Sequence, residues 1–151
     1  MTIETAAAVL LALVLGWASL IDARHLILPD WLTLPLIPAG WALAWLQEPP
    51  LADRLIGSAA GFLSFAVIAW AYRRLRGRDG LGLGDAKLLA GAGAWAGWQA
   101  LPSVVLVGSV AALAWVAVRR PDPSRPIPFG PALALGFWLV WWFGPLELIT
   151  S

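Results

Sequence analysis

Residues 5–22 read TAAAVLLALVLGWASLID, an apolar run of membrane length that ends on the carboxylate of Asp22. A helix needs roughly 20 apolar residues to cross the hydrocarbon of a bilayer, so this stretch reads as a transmembrane helix. A carboxylate at its end is costly near lipid, and such residues usually face protein or water and carry function. Five further apolar stretches follow, at 28–46, 55–72, 86–100, 102–118 and 131–149. Composition agrees: 60% of residues are hydrophobic, 13% are charged and the mean hydropathy is +0.78. The prediction is an all-α polytopic membrane protein with six transmembrane helices, one membrane-embedded domain over residues 1–151 and little chain left for a soluble one.

Breakers separate the segments. Pro29 opens the second, Pro49-Pro50 ends it, glycines precede the fourth, Pro102 divides fourth from fifth, and a proline-rich stretch precedes the sixth. The fourth is below spanning length, which is tolerable where neighbouring helices shield it from lipid. Glu4, with no Lys or Arg before the first run, argues for a retained helix and against a cleaved signal.

The loops after helices one, three and five, with the start of helix four, hold Arg24, Arg73, Arg74, Arg76, Arg78, Lys87, Arg119, Arg120 and Arg125, whereas the other side holds Arg54. Positively charged loops face the cytoplasm, so both termini are predicted outside it and Asp22 and Asp85 at its border. Trp41, Trp45, Trp95, Trp98, Trp138, Trp141 and Trp142 fall toward the outer helix ends, where interfacial anchors are expected. Gly57 and Gly61 in helix three, and Gly93 and Gly97 in helix four, lie four apart and predict close helix packing within the chain, with a homo-oligomer as the other use of such a motif. Basic residues in short loops form no nucleic-acid surface. With no cysteine and the single histidine His25, neither a disulfide nor a usual zinc site is expected, and no cofactor is called for.

Without Cys, metal or a Ser/His pair, hydrolysis of a peptide falls to carboxylates, one ionised and one protonated. Asp22 and Asp85 supply two on one membrane face. Taken alone, Asp22 could be a polar residue just past a helix end, and Asp85 could cap the helix that follows it. Capping leaves the alternating Gly80-Leu81-Gly82-Leu83-Gly84 before Asp85 unexplained: such glycines permit positive φ or the close passage of an extended strand. No Lys-Ser/Thr follows them, so this is not a phosphate loop.

Three blocks then resemble one family, the type IV prepilin leader peptidases, membrane aspartyl proteases marked by Gly-x-Gly-Asp. They are Asp22-Ala23-Arg24-His25-Leu26-Ile27-Leu28-Pro29-Asp30 followed by Trp31-Leu32-Thr33; Gly82-Leu83-Gly84-Asp85-Ala86-Lys87-Leu88-Leu89; and Ile127-Pro128-Phe129-Gly130-Pro131 running on to Gly136. The resemblance covers nearly the whole chain. It implies that Asp22 and Asp85 are the catalytic pair, with Gly82 and Gly84 shaping the approach. It further implies cleavage of the basic leaders of prepilin or pseudopilin precursors at the cytoplasmic face of a bacterial inner membrane, in type IV pilus assembly or protein secretion. Longer members carry a cysteine-paired cytoplasmic region and methylate the new N-terminus; this chain has neither cysteines nor room for it, so peptidase activity alone is expected.

Secondary expectations attach to the neighbours. Asp30 is placed near the site as a cap for the second helix. Lys87 either pairs with a carboxylate or snorkels to the interface. Pro128, Phe129 and Gly130 form a rigid entry to helix six, or Pro131 simply starts it. Arg24 and His25 meet lipid headgroups, and Asp30, Asp79 and Asp122 are the acidic groups that could receive a basic leader. Two rival readings are a small proton-coupled transporter that uses the same carboxylates as a relay, and a non-catalytic scaffold of a secretion apparatus.

Overall fold

The computed structural model describes residues 2–47, 50–77, 82–120 and 127–146. Among them the chain is helical with no strand: α1 (Ile3–His25), α2 (Asp30–Thr33), α3 (Leu36–Gln47), α4 (Leu51–Arg76), α5 (Leu83–Ala96), α6 (Leu101–Arg119) and α7 (Gly130–Phe143). Three stretches are long and apolar enough to cross a membrane, namely Ile3–His25, Leu51–Arg76 and Trp98–Arg119, and Gly130–Phe143 is a shorter apolar helix. Arg78, Asp79, Gly80, Leu81, Asp122, Arg125 and the expected run of the last helix to residue 149 lie outside the described residues.

The ends of the helices follow from local chemistry. Thr2 caps α1 by accepting from the Thr5 amide at 3.3 Å, and Leu26, at φ 57°, ends it. Arg73, Arg74 and Arg76 sit in the last turn of α4, where cations suit the carbonyl end of the dipole, and Gly77, at φ 68°, terminates it.

α1, α4 and α5 extend beyond the expected apolar stretches, and three other departures have local causes. The second segment is two helices, because Pro35 and Pro38 remove amide donors in succession; Ile37 bonds back to Leu34, Ala39 to Pro35, and α3 restarts with Pro38 in its first turn, where no intrahelical donor is missed. Helix four ends at Ala96, before Pro102 is reached. Gly97 takes φ 87°, and a single 3-10 turn at Trp98–Ala100 leads into α6. The last helix ends at Phe143, because Gly144, at φ 90°, precedes Pro145.

α5 is the axis of the bundle. Ten of its fourteen residues are buried, which is why a helix about 21 Å long at 1.5 Å per residue needs no lipid contact. Glycines bring its neighbours onto it. A methyl group on Gly93 would lie 2.1 Å from the Gly57 carbonyl oxygen, and one on Gly61 would lie 2.5 Å from that of Leu89, so α4 and α5 touch backbone to backbone. This is packing within the chain, with Gly97 serving as a helix terminator. Gly136 does the same for α7 on α6, where a methyl group would stand 2.5 Å from the Val104 carbonyl oxygen.

Apolar side chains face both ways. Leu11, Leu15, Phe137, Leu133, Val104, Leu88 and Leu89 fill the core, while Leu10, Leu13, Trp17, Leu63, Trp70, Leu113 and Val118 cover the outside. That outward display suits contact with lipid chains. Trp95 corrects the anchor reading: it is buried, donates from Nε1 to the Leu36 carbonyl at 2.7 Å, and meets Trp141 edge-on at 5.2 Å. Its helix occupies the centre of the bundle, so position along that helix places it in the core.

Candidate active site

The buried stripe of α1 runs Ala8, Leu11, Leu15, Ala18, Asp22, at spacings of three and four. This is the face a helix turns to its neighbours, and its last member is a carboxylate. Asp22 lies inside the final turn of α1, contrary to a position just past its end, and is 6% exposed. Its Oδ2 accepts from the Gly130 amide at 3.1 Å. Gly130 is the first residue of α7, and its N–H is one of the donors a helix leaves without an internal partner. One buried polar group therefore satisfies another.

Asp85 stands in the first turn of α5 and is 9% exposed. It does not cap that helix: Gly82 holds the cap position with no side-chain hydrogen bond, and the Asp85 amide bonds back to the Gly82 carbonyl at 3.2 Å. Asp85 follows Gly84, which packs on Leu28, and Leu28 also packs on Gly130, whose amide holds Asp22. Both aspartates thus occupy one end of the bundle, where the last turn of α1 meets the first turns of α5 and α7.

Of the two uses expected of the glycines before Asp85, positive φ is not found at Gly82 or Gly84, and Gly80 lies outside the described residues. Gly82 is in extended backbone at φ −75°. Gly84 is small because a neighbour is close: a methyl group on it would come 2.8 Å from Cβ of Leu28. The strand passing beside it is the chain's own linker. Gly82 is exposed, and a methyl group there would sit 3.9 Å from Oδ2 of Asp85, so the open side of the glycine run borders the carboxylate.

Asp30 and Lys87 form an ion pair with Nζ 2.6 Å from Oδ1. This settles Lys87 as a partner of a carboxylate and corrects Asp30: the cap position of α2 is Pro29, and the Asp30 side chain, 60% exposed, turns to Lys87. Phe129 packs on Phe65 of α4 at 6.4 Å between ring centroids, which anchors the start of α7. Pro128 lines a cavity of about 280 Å³ with Ala23, Trp115 and Pro131. Arg24 and His25 are exposed at the same end. No cluster of three metal-binding side chains occurs among the described residues.

Two residues were missed in the sequence. Leu28 is one apolar residue among many, and only its place directly before Pro29 in the first block sets it apart. Arg54, noted for its charge alone, donates to the Trp95 carbonyl at the far end of α5, beside Asp53, which accepts from Trp98 Nε1 at 3.2 Å and Gln99 Nε2 at 3.3 Å.

Comparison with known proteins bears on this arrangement. A family model described as the type IV leader peptidase family matches residues 9–117, a stretch that contains Asp22 and Asp85 and stops short of Gly130. A prepilin leader peptidase/N-methyltransferase of Aeromonas salmonicida (strain A449) is 44% identical over 145 residues, covering 93% of this chain and 50% of that protein. Proteins of the same name from Dickeya chrysanthemi and Pseudomonas aeruginosa are 47% and 40% identical, over 76% and 87% of this chain and 42% and 49% of their own length. The chain spans about half the length of these curated relatives. No solved structure matches it.

Proposed function

The chain belongs to the type IV leader peptidase family, and we propose from its site that it is an intramembrane aspartyl endopeptidase that removes the leader of prepilin or pseudopilin precursors. The observation that carries this reading is the convergence of two buried carboxylates, on different helices, at one end of the bundle, where Leu28 packs on both Gly84 and Gly130 and Gly130 holds Asp22.

The chemistry needs one proton shared between two carboxyl groups. The ionised member takes a proton from water as the water oxygen bonds to the scissile carbonyl carbon. The protonated member donates a hydrogen bond to the oxyanion that forms. Collapse restores the carbonyl, breaks the C–N bond and passes a proton to the leaving amine. The Gly130 amide occupies Oδ2 of Asp22 as an acceptor and leaves Oδ1 to exchange protons. The exposed glycine at position 82 supports access for an extended peptide segment, and the apolar outer surface suits the apolar helix that follows a leader.

In this reading the chain crosses a bacterial inner membrane six times, with α2 and α3 forming one crossing, both termini outside the cytoplasm and the aspartates at the cytoplasmic face. The arginines at the ends of α1, α4 and α6 support that orientation. The peptidase reading is preferred to a proton relay because the buried ionisable side chains among the described residues, Asp22 and Asp85, stand at one end and trace no path across the bundle. The test is to incubate the purified chain in detergent with a synthetic precursor bearing a leader and the start of its apolar helix, and to locate the cut by mass spectrometry. Cleavage at the leader-helix border, abolished in Asp85→Asn, supports the proposal; cleavage unchanged in that variant sinks it.

A further inference from the structure

We infer that Leu28 is a positioning residue for the aspartate pair, a wedge that sets the gap between the first turns of α5 and α7. The inference rests on the peptidase reading above.

Leu28 is 7% exposed and lies in the short linker between α1 and α2. Its side chain bridges two glycines, with Cδ1 at 3.5 Å from where a methyl group on Gly84 would stand. Its Cβ is 2.8 Å and its backbone oxygen 3.5 Å from where a methyl group on Gly84 would stand, and its Cδ1 is 3.2 Å from the same point on Gly130. Each glycine is tied to one aspartate: Gly84 precedes Asp85 in the chain, and the Gly130 amide holds Asp22 at 3.1 Å. A change in the bulk of Leu28 is therefore felt by both backbone walls that carry the carboxyl groups. Closer approach is blocked by the isobutyl group, and its removal leaves a void that the two helix ends can close.

The wedge is itself held at both ends. On one side the Leu26 amide bonds to the Asp22 carbonyl at 2.8 Å, with Leu26 locked at φ 57°. On the other, Pro29 fixes its own φ and Asp30 is clasped by Lys87 at 2.6 Å. The linker thus joins the catalytic end of α1 to the first turn of α5, with Leu28 between them. Leu28 thus packs against the backbone at both points where the aspartates are anchored.

The separation of two carboxyl groups sets how strongly the ionisation of one opposes that of the other, and so the width of the pH range in which the pair holds one proton. The other charged and titratable groups at this end among the described residues are the Asp30–Lys87 pair, Arg24 and His25 on α1, Tyr72, Arg73, Arg74 and Arg76 on α4, and Arg119 and Arg120 at the end of α6. Substitution of Leu28 leaves their charges in place, so a change in profile width reports on the pair.

Cleavage of the synthetic precursor is measured across a pH series for the full chain, Leu28→Ala and Leu28→Met, with folding checked by thermal unfolding. Leu28→Ala is expected to lower kcat about tenfold or more with little change in KM, and to change the width of the active pH range. Leu28→Met, similar in volume, is expected to keep the width and most of kcat. If Leu28→Ala is not recovered folded, Leu28→Val is judged by the same criteria. A truncated variant with the full chain's kcat, or one whose loss comes with an unchanged pH profile, overturns the inference. Failure of the peptidase reading shows differently, as cleavage that survives Asp22→Asn, and it takes the wedge role with it.

Discussion

The amide of Gly130 donates to Oδ2 of Asp22 at 3.1 Å, and a methyl group on Gly130 would stand 2.5 Å from that same oxygen. The hydrogen bond and the lack of a side chain are one requirement, since only glycine lets the end of α7 come this close to the carboxylate. Gly130→Ala is therefore expected to displace Asp22 and reduce precursor cleavage by about 10²-fold, the scale of a misplacement near 1 Å. The helix bundle should persist, as circular dichroism would show; cleavage within threefold of the full chain would argue against this contact.

The Gly57–Gly93 contact predicts a loss of a different kind. A methyl group on Gly93 would meet the Gly57 carbonyl at 2.1 Å, backbone against backbone, with no flexible side chain to yield. Gly93→Ala should cost about 1–3 kcal/mol by overpacking and lower Tm. Gly16, exposed and with nothing within 4 Å of its added methyl group, is the control. Gly16→Ala is expected to leave Tm unchanged or raised, through the helix preference of alanine over glycine, about 0.5–1 kcal/mol.

Trp95 anchors α5 to α3 through its Nε1 bond to the Leu36 carbonyl at 2.7 Å. Trp95→Phe keeps most of the ring but leaves a buried carbonyl without that donor. A loss of about 1–3 kcal/mol is expected, readable as a lower midpoint of thermal unfolding.

The Asp30–Lys87 pair is largely solvated on the Asp30 side. Its breakage by Lys87→Ala should cost only about 0.2–1 kcal/mol in stability, as for exposed pairs. A double exchange to Asp30→Lys with Lys87→Asp is expected to recover cleavage beyond either single reversal. Failure of the exchange to recover anything would show that one of the two charges acts on something other than its partner.

Much of this molecule is legible in its sequence, for reasons that residues make plain. Apolar runs bounded by Pro and Gly locate the helices because lipid demands internal backbone bonding, and Asp22 and Asp85 stand out because a carboxylate is expensive there. The stripe from Ala8 to Asp22 even shows which way Asp22 faces. Other features depend on what lies across from a residue. Read along the chain, Gly84 suggests backbone freedom and Gly130 a rigid entry to a helix, yet Gly84 is small because Leu28 packs against it and Gly130 because Asp22 does. Trp95 resembles an interfacial anchor until α5 is seen at the centre, and Gly97, which does pack against Gly57 as its motif suggests, also ends its helix at φ 87°. Periodicity describes a helix against an average neighbour, whereas these contacts are set by particular ones.

The central claim is that Asp22 and Asp85 act as one proton-sharing unit, and the most direct measurement is precursor cleavage by Asp22→Asn, Asp85→Asn and the double variant in one assay. Groups that act together are strongly non-additive. Each single substitution is expected to reduce cleavage to background, with the double variant no lower. A single variant that retains cleavage near the rate of the full chain, or a double variant that loses the product of two partial losses, would contradict it.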